Sequence, residues 1–521
     1  LLGMLHARVV RPRGPTATLD ALDASSVSAA QVVRRGNFVA VVAEEEIDAM
    51  RAARQLHVTW REATDLPPMG ELHAWMRAQP VRDELVTANG DVQAALAGAS
   101  VRLRATYTQP FQAHASIGPS CAVAELRNEM LTVWCSSQGI HALRGALADL
   151  LAMPRERIRV LFLEGSGCYG HNGADDVAAD AAVLACELPG RPVRVQWSRE
   201  DEFAWEPKGP AMLMELSAGL DAQGRISAWD YQAWSPTHAR RPRRADDLVA
   251  GQLMHGVGLP DPAFFLGGDR NAPTNYALPN SRVTMHLLTR MPLRSSSLRS
   301  LGATANTFAN ESFMDELAEL AGADPLAFRL RHLDDSRAHA VLTAATDRAG
   351  WGSALPRGEG LGLAFARYEN DEAYVAMVAH VVVDDATGAV WLRRVVVAHD
   401  CGLIINPDGL RNQIEGNVIQ SASRALKEEV RFDETGPTSL DWDSYPILTF
   451  AEVPEVEIVL IDRPEERAVG AGEPATITTA AAIANAIYAA VGARVREVPF
   501  TRERVRAALS ARGAGTGANA D

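Results

Sequence analysis

The spacing of apolar and polar positions divides the chain into strands and helices before any chemistry is considered. Phe38–Val42 predicts a strand, Glu44–Leu56 a helix with acidic residues at its start, and His57–Trp60 another strand, together a small α/β unit over residues 1–65. A stretch rich in Pro, Gly and polar residues follows and reads as a linker, residues 66–105. Beyond it strands and helices alternate: Leu131–Cys135, a helix over Ile140–Leu151, the strand Ile158–Leu163, then Gly-rich residues and the helix Asp175–Cys186. Tyr374–Val383 and Val390–Val397 predict strands ahead of a helical run, Gln413–Glu428, and the alanine-rich Ala475–Val491 predicts a last helix ending at Gly492. The pattern is mixed α+β, with two larger domains expected over 106–335 and 336–511 and a Gly/Ala-rich tail, 512–521, expected to be disordered.

Composition narrows the classes of function. With 521 residues, 47% of them hydrophobic, the chain can bury substantial cores. A formal charge of -14 and the lack of a basic cluster argue against nucleic acid, and no apolar run approaches the length of a membrane span. The five cysteines, Cys121, Cys135, Cys168, Cys186 and Cys401, are scattered without the spacing that holds zinc or an iron–sulfur cluster. The chain opens Leu1-Leu2-Gly3-Met4 without a start signal, as though continuing from an upstream segment.

Two segments carry candidate chemistry. In Gly470-Ala471-Gly472-Glu473-Pro474, one carboxylate sits on a flexible turn directly before a helix, whose N-terminus favours the ionised, proton-accepting form. The plain alternative is an acidic helix cap. Gly165-Ser166-Gly167-Cys168-Tyr169-Gly170 matches the GxGxxG dinucleotide fingerprint weakly, because the helix opens late, and reads equally well as a nest of backbone amides. His171 with Asp175 and Asp176, or His399-Asp400-Cys401, does not offer three convergent metal ligands.

Several motifs in order resemble the large subunits of the xanthine dehydrogenase and aldehyde oxidase class of molybdenum hydroxylases. Leu2–Val9 resembles that family's opening; Ser166–His171, with Tyr169 in the aromatic place, its Gly-Gly-x-Phe-Gly-Gly loop; Arg299-Ser300-Leu301-Gly302 its Arg-Gly-Phe-Gly. Asp400-Cys401-Gly402 with Asn406-Pro407, Asn412-Gln413-Ile414-Glu415-Gly416 and Gly472-Glu473-Pro474 resemble three more signatures. The resemblance implies a hammerhead-like α/β domain over 1–65 followed by two elongated molybdopterin-binding domains. It implies that Glu473 is the base, deprotonating the oxygen nucleophile that the metal supplies. It places Gln138, Gly167, Tyr169, Gly170, Gln413, Ala471 and Gly472 around the cofactor, and Arg299 with Tyr169 beside the substrate, with no side chain ligating molybdenum directly. Taken singly, Gln138 and Arg299 would read as exposed polar residues and Tyr169 as core.

Two departures from the family matter. Purine-oxidising members carry a glutamate four positions beyond the loop aromatic, where this chain has Gly173, so a purine substrate is not expected. The Gly-Gln-Gly pterin-binding segment is missing from this chain, so another polypeptide or an upstream segment is expected to supply it. His114–Cys121, Cys168–Asp176 and Leu298–Gly302 look most similar to bacterial nicotinate dehydrogenase-like and isoquinoline oxidoreductase-like subunits. The implied activity is hydroxylation of an N-heteroaromatic ring beside its nitrogen, with molybdopterin cytosine dinucleotide as cofactor. Electrons would pass to a small [2Fe–2S] subunit and from there to a flavoprotein or cytochrome. Oxidation of aldehydes is the enzymatic alternative, and a noncatalytic scaffold half of a split enzyme the alternative of another class. The expected compartment is the bacterial cytoplasm or periplasm.

Overall fold

The structure, a computed structural model, describes residues 1–515. A seven-stranded mixed sheet runs in the order Ile158–Phe162, Met130–Cys135, Cys121–Arg127, Val193–Gln196, Leu5–Val10, Phe38–Ala43, Gln31–Arg35. The N-terminal strands therefore share one sheet with strands from the 106–335 stretch, joined where Leu5–Val10 pairs in parallel with Val193–Gln196. Helices Ile140–Leu150 and Ala174–Glu187 cover it. The second of these is buried nearly all round, three carboxylates included, and each of those acids has a cationic partner: Asp175 with Arg241, Asp176 with Arg294, Asp180 with Arg11. Buried charges persist only when so paired.

A five-stranded sheet follows, in the order Val81–Asn89, Ser281–Leu288, Ile226–Ser235, Met212–Leu220, Val101–Gln109, packed against helix Ala303–Leu320. Residues 66–105, read as a linker, thus hold a helix (Leu72–Ala78), an edge strand (Val81–Asn89) and another helix (Val92–Ala97). The polar face of that edge strand points to water, which is why its composition resembles a loop.

A third sheet, Glu359–Arg367, Tyr374–Asp384, Ala389–Asp400, Glu455–Leu460, packs on helix Thr479–Val491. The approach is backbone to backbone: a Cβ added at Gly362 would lie 2.1 Å from Ala486 N, and one at Gly360 2.4 Å from Ala486 O. Glycine in the strand and alanine in the helix are what allow this contact. The predicted final helix is interrupted at Thr478 into Pro474–Ile477 and Thr479–Val491. Contrary to the sequence expectation, one run, Pro474–Val491, is long and apolar enough to cross a membrane; 83% of it is buried inside the protein, as in a core helix. The predicted run at 413 begins earlier, at Pro407, because Asn406 accepts from Gly409 N–H at 3.0 Å and caps it. Of the tail, 512–515 continue the helix Arg502–Gly515, and 516–521 lie outside the described residues.

Candidate active site

Glu473 stands at the entrance of the short helix Pro474–Ile477, yet its carboxylate makes no capping hydrogen bond. It turns instead toward two other segments. Oε1 accepts from the Ser300 N–H at 2.9 Å, and Oε2 from the Tyr368 hydroxyl at 2.6 Å. The Ser300 hydroxyl donates to the Glu473 carbonyl at 3.0 Å. Arg270 completes the cluster, its Nη1 lying 2.8 Å from the Tyr368 hydroxyl, 2.7 Å from Glu369 and 3.9 Å from Glu473 Oε2. The side chain of Glu473 remains 35% exposed, so the carboxylate is oriented without being sealed off.

Backbone strain builds the turn that faces it. Ser300 and Leu301 take φ of 73° and 50°, left-handed values that ordinary residues avoid, and Gly302 follows where a Cβ would meet Gly268 O at 2.3 Å. This turn leads into helix Ala303–Leu320 and projects Arg299 across the site. Arg299 donates to the Gly472 carbonyl from Nε at 2.8 Å, to Gln413 from Nη2 at 2.7 Å and to Gln420 from Nη1 at 2.9 Å. It ties the Gly472–Glu473 turn to helix Pro407–Leu426. Burial, reinforced by Arg424, lowers its guanidinium to about 10, still cationic at neutral pH.

The glycine-rich loop meets the same turn. Gly170 bridges to Leu298, and His171 N–H donates to Ser297 O at 2.8 Å. Gly170 (φ 132°) admits no side chain, since a Cβ would sit 2.0 Å from Ser297 O. Tyr169 is held at φ 50° with its ring over Gly167, close enough to Arg299 to favour the guanidinium's charge. Gln138 approaches from the strand end: its Nε2 lies 2.7 Å from Cys168 Sγ, and its Oε1 accepts from Arg241 at 2.8 Å. Arg241 also donates to the Gly170 carbonyl at 2.8 Å and pairs with Asp175 at 3.1 Å. Asp175, held far below the usual carboxylate range by His171 and Arg241 despite its burial, anchors that network. His171 and Asp175 are therefore partners of each other, 3.0 Å apart.

Gly167, Tyr169, Gly170, Arg299, Gln413, Gly472 and Glu473 thus line one region, with Gln138 at its edge and Ala471 packed partly into the main core. Tyr368, Arg270 and Ser300 belong to it too, and sequence reasoning missed them. Tyr368 occupies a hairpin turn with Glu369 and Asn370 at positive φ, and nothing in Arg367-Tyr368-Glu369-Asn370 marks it as functional before the fold brings it to Glu473. The region suits an oxygen-rich, anionic group. Among the described residues the N–H groups of Tyr169 and Gly170 donate to no backbone carbonyl. At Gly472 an added Cβ would meet only Gln413 Oε1, at 3.8 Å, which leaves open space beside the turn.

Two models described as molybdopterin cofactor-binding domain match residues 78–256 and 305–454, together more than half of the chain. The chain is 44% identical to a nicotinate dehydrogenase subunit of Pseudomonas putida, over its whole length and 45% of that protein. It is 27% identical to the beta subunit of isoquinoline 1-oxidoreductase of Brevundimonas diminuta, over 96% of this chain and 64% of that one. The chain thus spans under two thirds of either relative. Its fold matches the aldehyde oxidoreductase of Desulfovibrio gigas at TM-score 0.81, with 16% identity over 98% of this chain and 78% of the other. It matches quinoline 2-oxidoreductase of Pseudomonas putida at TM-score 0.80, with 15% identity over 98% and 95%. By these matches, and by the α+β fold they share, the chain belongs to the molybdopterin-binding large subunits of the molybdenum hydroxylase family.

Proposed function

We propose that this chain carries the catalytic portion of a hydroxylase that inserts a water-derived oxygen beside the nitrogen of an N-heteroaromatic ring. The observation that carries the reading is Glu473, a carboxylate held at both oxygens by Ser300 and Tyr368 and still 35% exposed. When bound, molybdenum–molybdopterin supplies the activated oxygen and accepts the electrons of the oxidation. The chain's own residues do the rest. Glu473 takes the proton of the attacking oxygen, with its Oε1 and Oε2 fixed in advance by two donors. The Tyr169 and Gly170 N–H groups and Gln138 present donors to oxygens of the cofactor, and Gln413, Gly167, Ala471 and Gly472 line it. Arg299 positions the Gly472–Glu473 turn through the Gly472 carbonyl and adds a positive charge toward which a ring substrate can orient. Tyr169 borders the same space.

A pyridine-type ring, alone or benzo-fused, fits better than a purine. At Gly173, where purine oxidisers carry their anchoring glutamate, a Cβ would lie 2.4 Å from the Trp197 ring, so a side chain there would have to displace the indole. The names of the similar proteins, nicotinate dehydrogenase and isoquinoline 1-oxidoreductase, point the same way. The cofactor form proposed is the cytosine dinucleotide. A small [2Fe–2S] subunit, and a polypeptide segment supplying the Gly-Gln-Gly part, are the proposed partners, with a flavoprotein or cytochrome beyond them.

The test is to purify the native assembly and measure molybdenum and iron per copy of this chain. Turnover is then assayed with nicotinate, isoquinoline and an aldehyde in water enriched in heavy oxygen. Labelled hydroxyl on the heterocycle, with molybdenum present, supports the reading. Turnover of the aldehyde alone would replace it with aldehyde oxidation, and a fully assembled complex without molybdenum would remove catalysis from this chain.

A further inference from the structure

The loop that follows strand Val101–Gln109 clasps the glycine-rich loop twice: Ser116 Oγ donates to the Gly167 carbonyl at 2.7 Å, and Ser166 Oγ to the Gly118 carbonyl at 2.6 Å. Just ahead of those contacts stands His114, whose side chain is fully buried. Its ring Nε2 lies 2.7 Å from the Ser297 carbonyl, and because a carbonyl only accepts, Nε2 carries a proton. The same Ser297 oxygen accepts the His171 N–H at 2.8 Å, and Gly170 bridges to Leu298. A Cβ on Gly170 would stand 3.2 Å from His114 Nε2, so the imidazole packs against the loop at the position where a side chain is missing. One oxygen therefore joins His114, the glycine-rich loop and the segment that reaches Arg299 two residues later.

The imidazole is itself held from behind. The His114 backbone N–H donates to Glu206 Oε1 at 2.9 Å, and Glu206 Oε2 lies 3.5 Å from the ring Nδ1. Burial works to raise the Glu206 carboxyl, but Lys208, 3.9 Å away, and His114 outweigh it and keep it below its ordinary value. Lys208 in turn pairs through its backbone with the segment that carries Ser297: its N–H donates to Arg294 O at 2.8 Å, and its carbonyl accepts the Ser296 N–H at 2.9 Å. Ala115, next in the chain, is held at φ 53°, a strained value that persists only where the surroundings fix it.

We propose that His114 is a positioning residue: by donating from Nε2 to the Ser297 carbonyl it pins the glycine-rich loop to the turn that carries Arg299, and so keeps Gly170 and Arg299 in register with Glu473. The inference rests on the reading of Glu473 and its neighbours as the reacting site.

Glutamine at this position can place its amide nitrogen where Nε2 stands, and asparagine only where Nδ1 stands, so His114→Gln and His114→Asn share polarity and differ in reach. Amide hydrogen exchange over 165–173 and 296–302 is measured on the holoenzyme, with kcat and KM for nicotinate or isoquinoline, whichever the wild type hydroxylates. In His114→Asn the loss of one buried hydrogen bond is expected to quicken exchange roughly tenfold over both segments and to lower kcat roughly tenfold, with KM little changed. His114→Gln is expected to stay near wild type in both. Equal exchange in the two variants would overturn the pin, and so would a His114→Asn enzyme with loosened segments and wild-type kcat, or a loss confined to KM. The hydroxylase reading fails separately, in a wild type without molybdenum or without a hydroxylated heterocycle, while the exchange comparison still decides whether His114 holds the joint.

Discussion

The hydroxyl of Tyr368 donates to Glu473 Oε2 at 2.6 Å, across 105 residues of sequence, and so fixes the direction in which the carboxylate presents its second oxygen. Burial beside that carboxylate pushes the phenol far above its ordinary range, so Tyr368 remains a donor at any working pH. With Ser300 N–H on the other oxygen, the carboxylate is oriented before substrate arrives. For the base proposed at Glu473, preorganisation of this kind gains rate without later rearrangement.

Glu473→Gln keeps the side-chain shape and removes the proton acceptor. Turnover is expected to fall by about 10²–10⁴, with melting temperature and molybdenum content unchanged. Kinetics on a fully loaded preparation checks this, and intact activity would favour a noncatalytic scaffold.

Tyr368→Phe removes one hydrogen bond to a charged acceptor, worth about 1.5–3 kcal/mol, and leaves the ring in place. Since Tyr368 acts through Glu473, kcat should drop by roughly tenfold to a hundredfold while KM changes little. A change confined to KM would show that Tyr368 touches substrate instead.

Arg299→Lys tests a different link. A single ammonium cannot reach Gly472 O, Gln413 and Gln420 at once, as the planar guanidinium does from three nitrogens. The turn carrying Glu473 should loosen from helix Pro407–Leu426, with molybdenum content and kcat falling together. Metal analysis of the purified variant beside steady-state rates reads both.

The strands and helices whose residues are mostly apolar were legible: Phe38–Ala43, Met130–Cys135 and Ala174–Glu187 lie within two residues of the patterns that announced them, although the first and last are buried on nearly every side. Helix Ala303–Leu320 was not, because Asn306, Glu311, Asp315 and Glu316 are buried along with its apolar residues and erase the 3.6-residue period. Within the site, Glu473, Arg299 and the glycine-rich loop could be found from their motifs. Tyr368 and Arg270 could not, since their role exists only through partners brought close by the third sheet and the turn at Ser300.

Stability should weaken in mild acid, and His399 supplies part of the reason. Both its ring nitrogens are buried without partners, and burial lowers the imidazole from 6.5 to about 4, outweighing the pull of Asp400. Between those values the unfolded chain binds the proton that the folded one refuses, so stability falls as pH drops through that window, by about 1.4 kcal/mol per unit. His399→Leu should flatten this slope. Denaturant unfolding of both proteins at pH 7 and 5 measures it, and equal slopes would place the acid sensitivity elsewhere.

Gly173 turns the substrate question into a packing question. It precedes helix Ala174–Glu187, and a Cβ there would stand 2.4 Å from Trp197 Cζ3 and 3.1 Å from Ser120 Oγ. Trp197 cannot step aside cheaply: it is 2% exposed, its Nε1 donates to Asp180 at 2.8 Å, and Arg11 stacks on its ring at 4.7 Å. Gly173→Ala should therefore cost about 1–3 kcal/mol of stability, as overpacking does elsewhere. Gly173→Glu, which restores the residue of purine oxidisers, should destabilise further by driving a carboxylate against the indole, and should gain no activity on xanthine. Melting curves for the two variants and an assay with xanthine decide it, and a stable Gly173→Glu enzyme that oxidises xanthine would show that Trp197 yields and the pocket is not closed to purines.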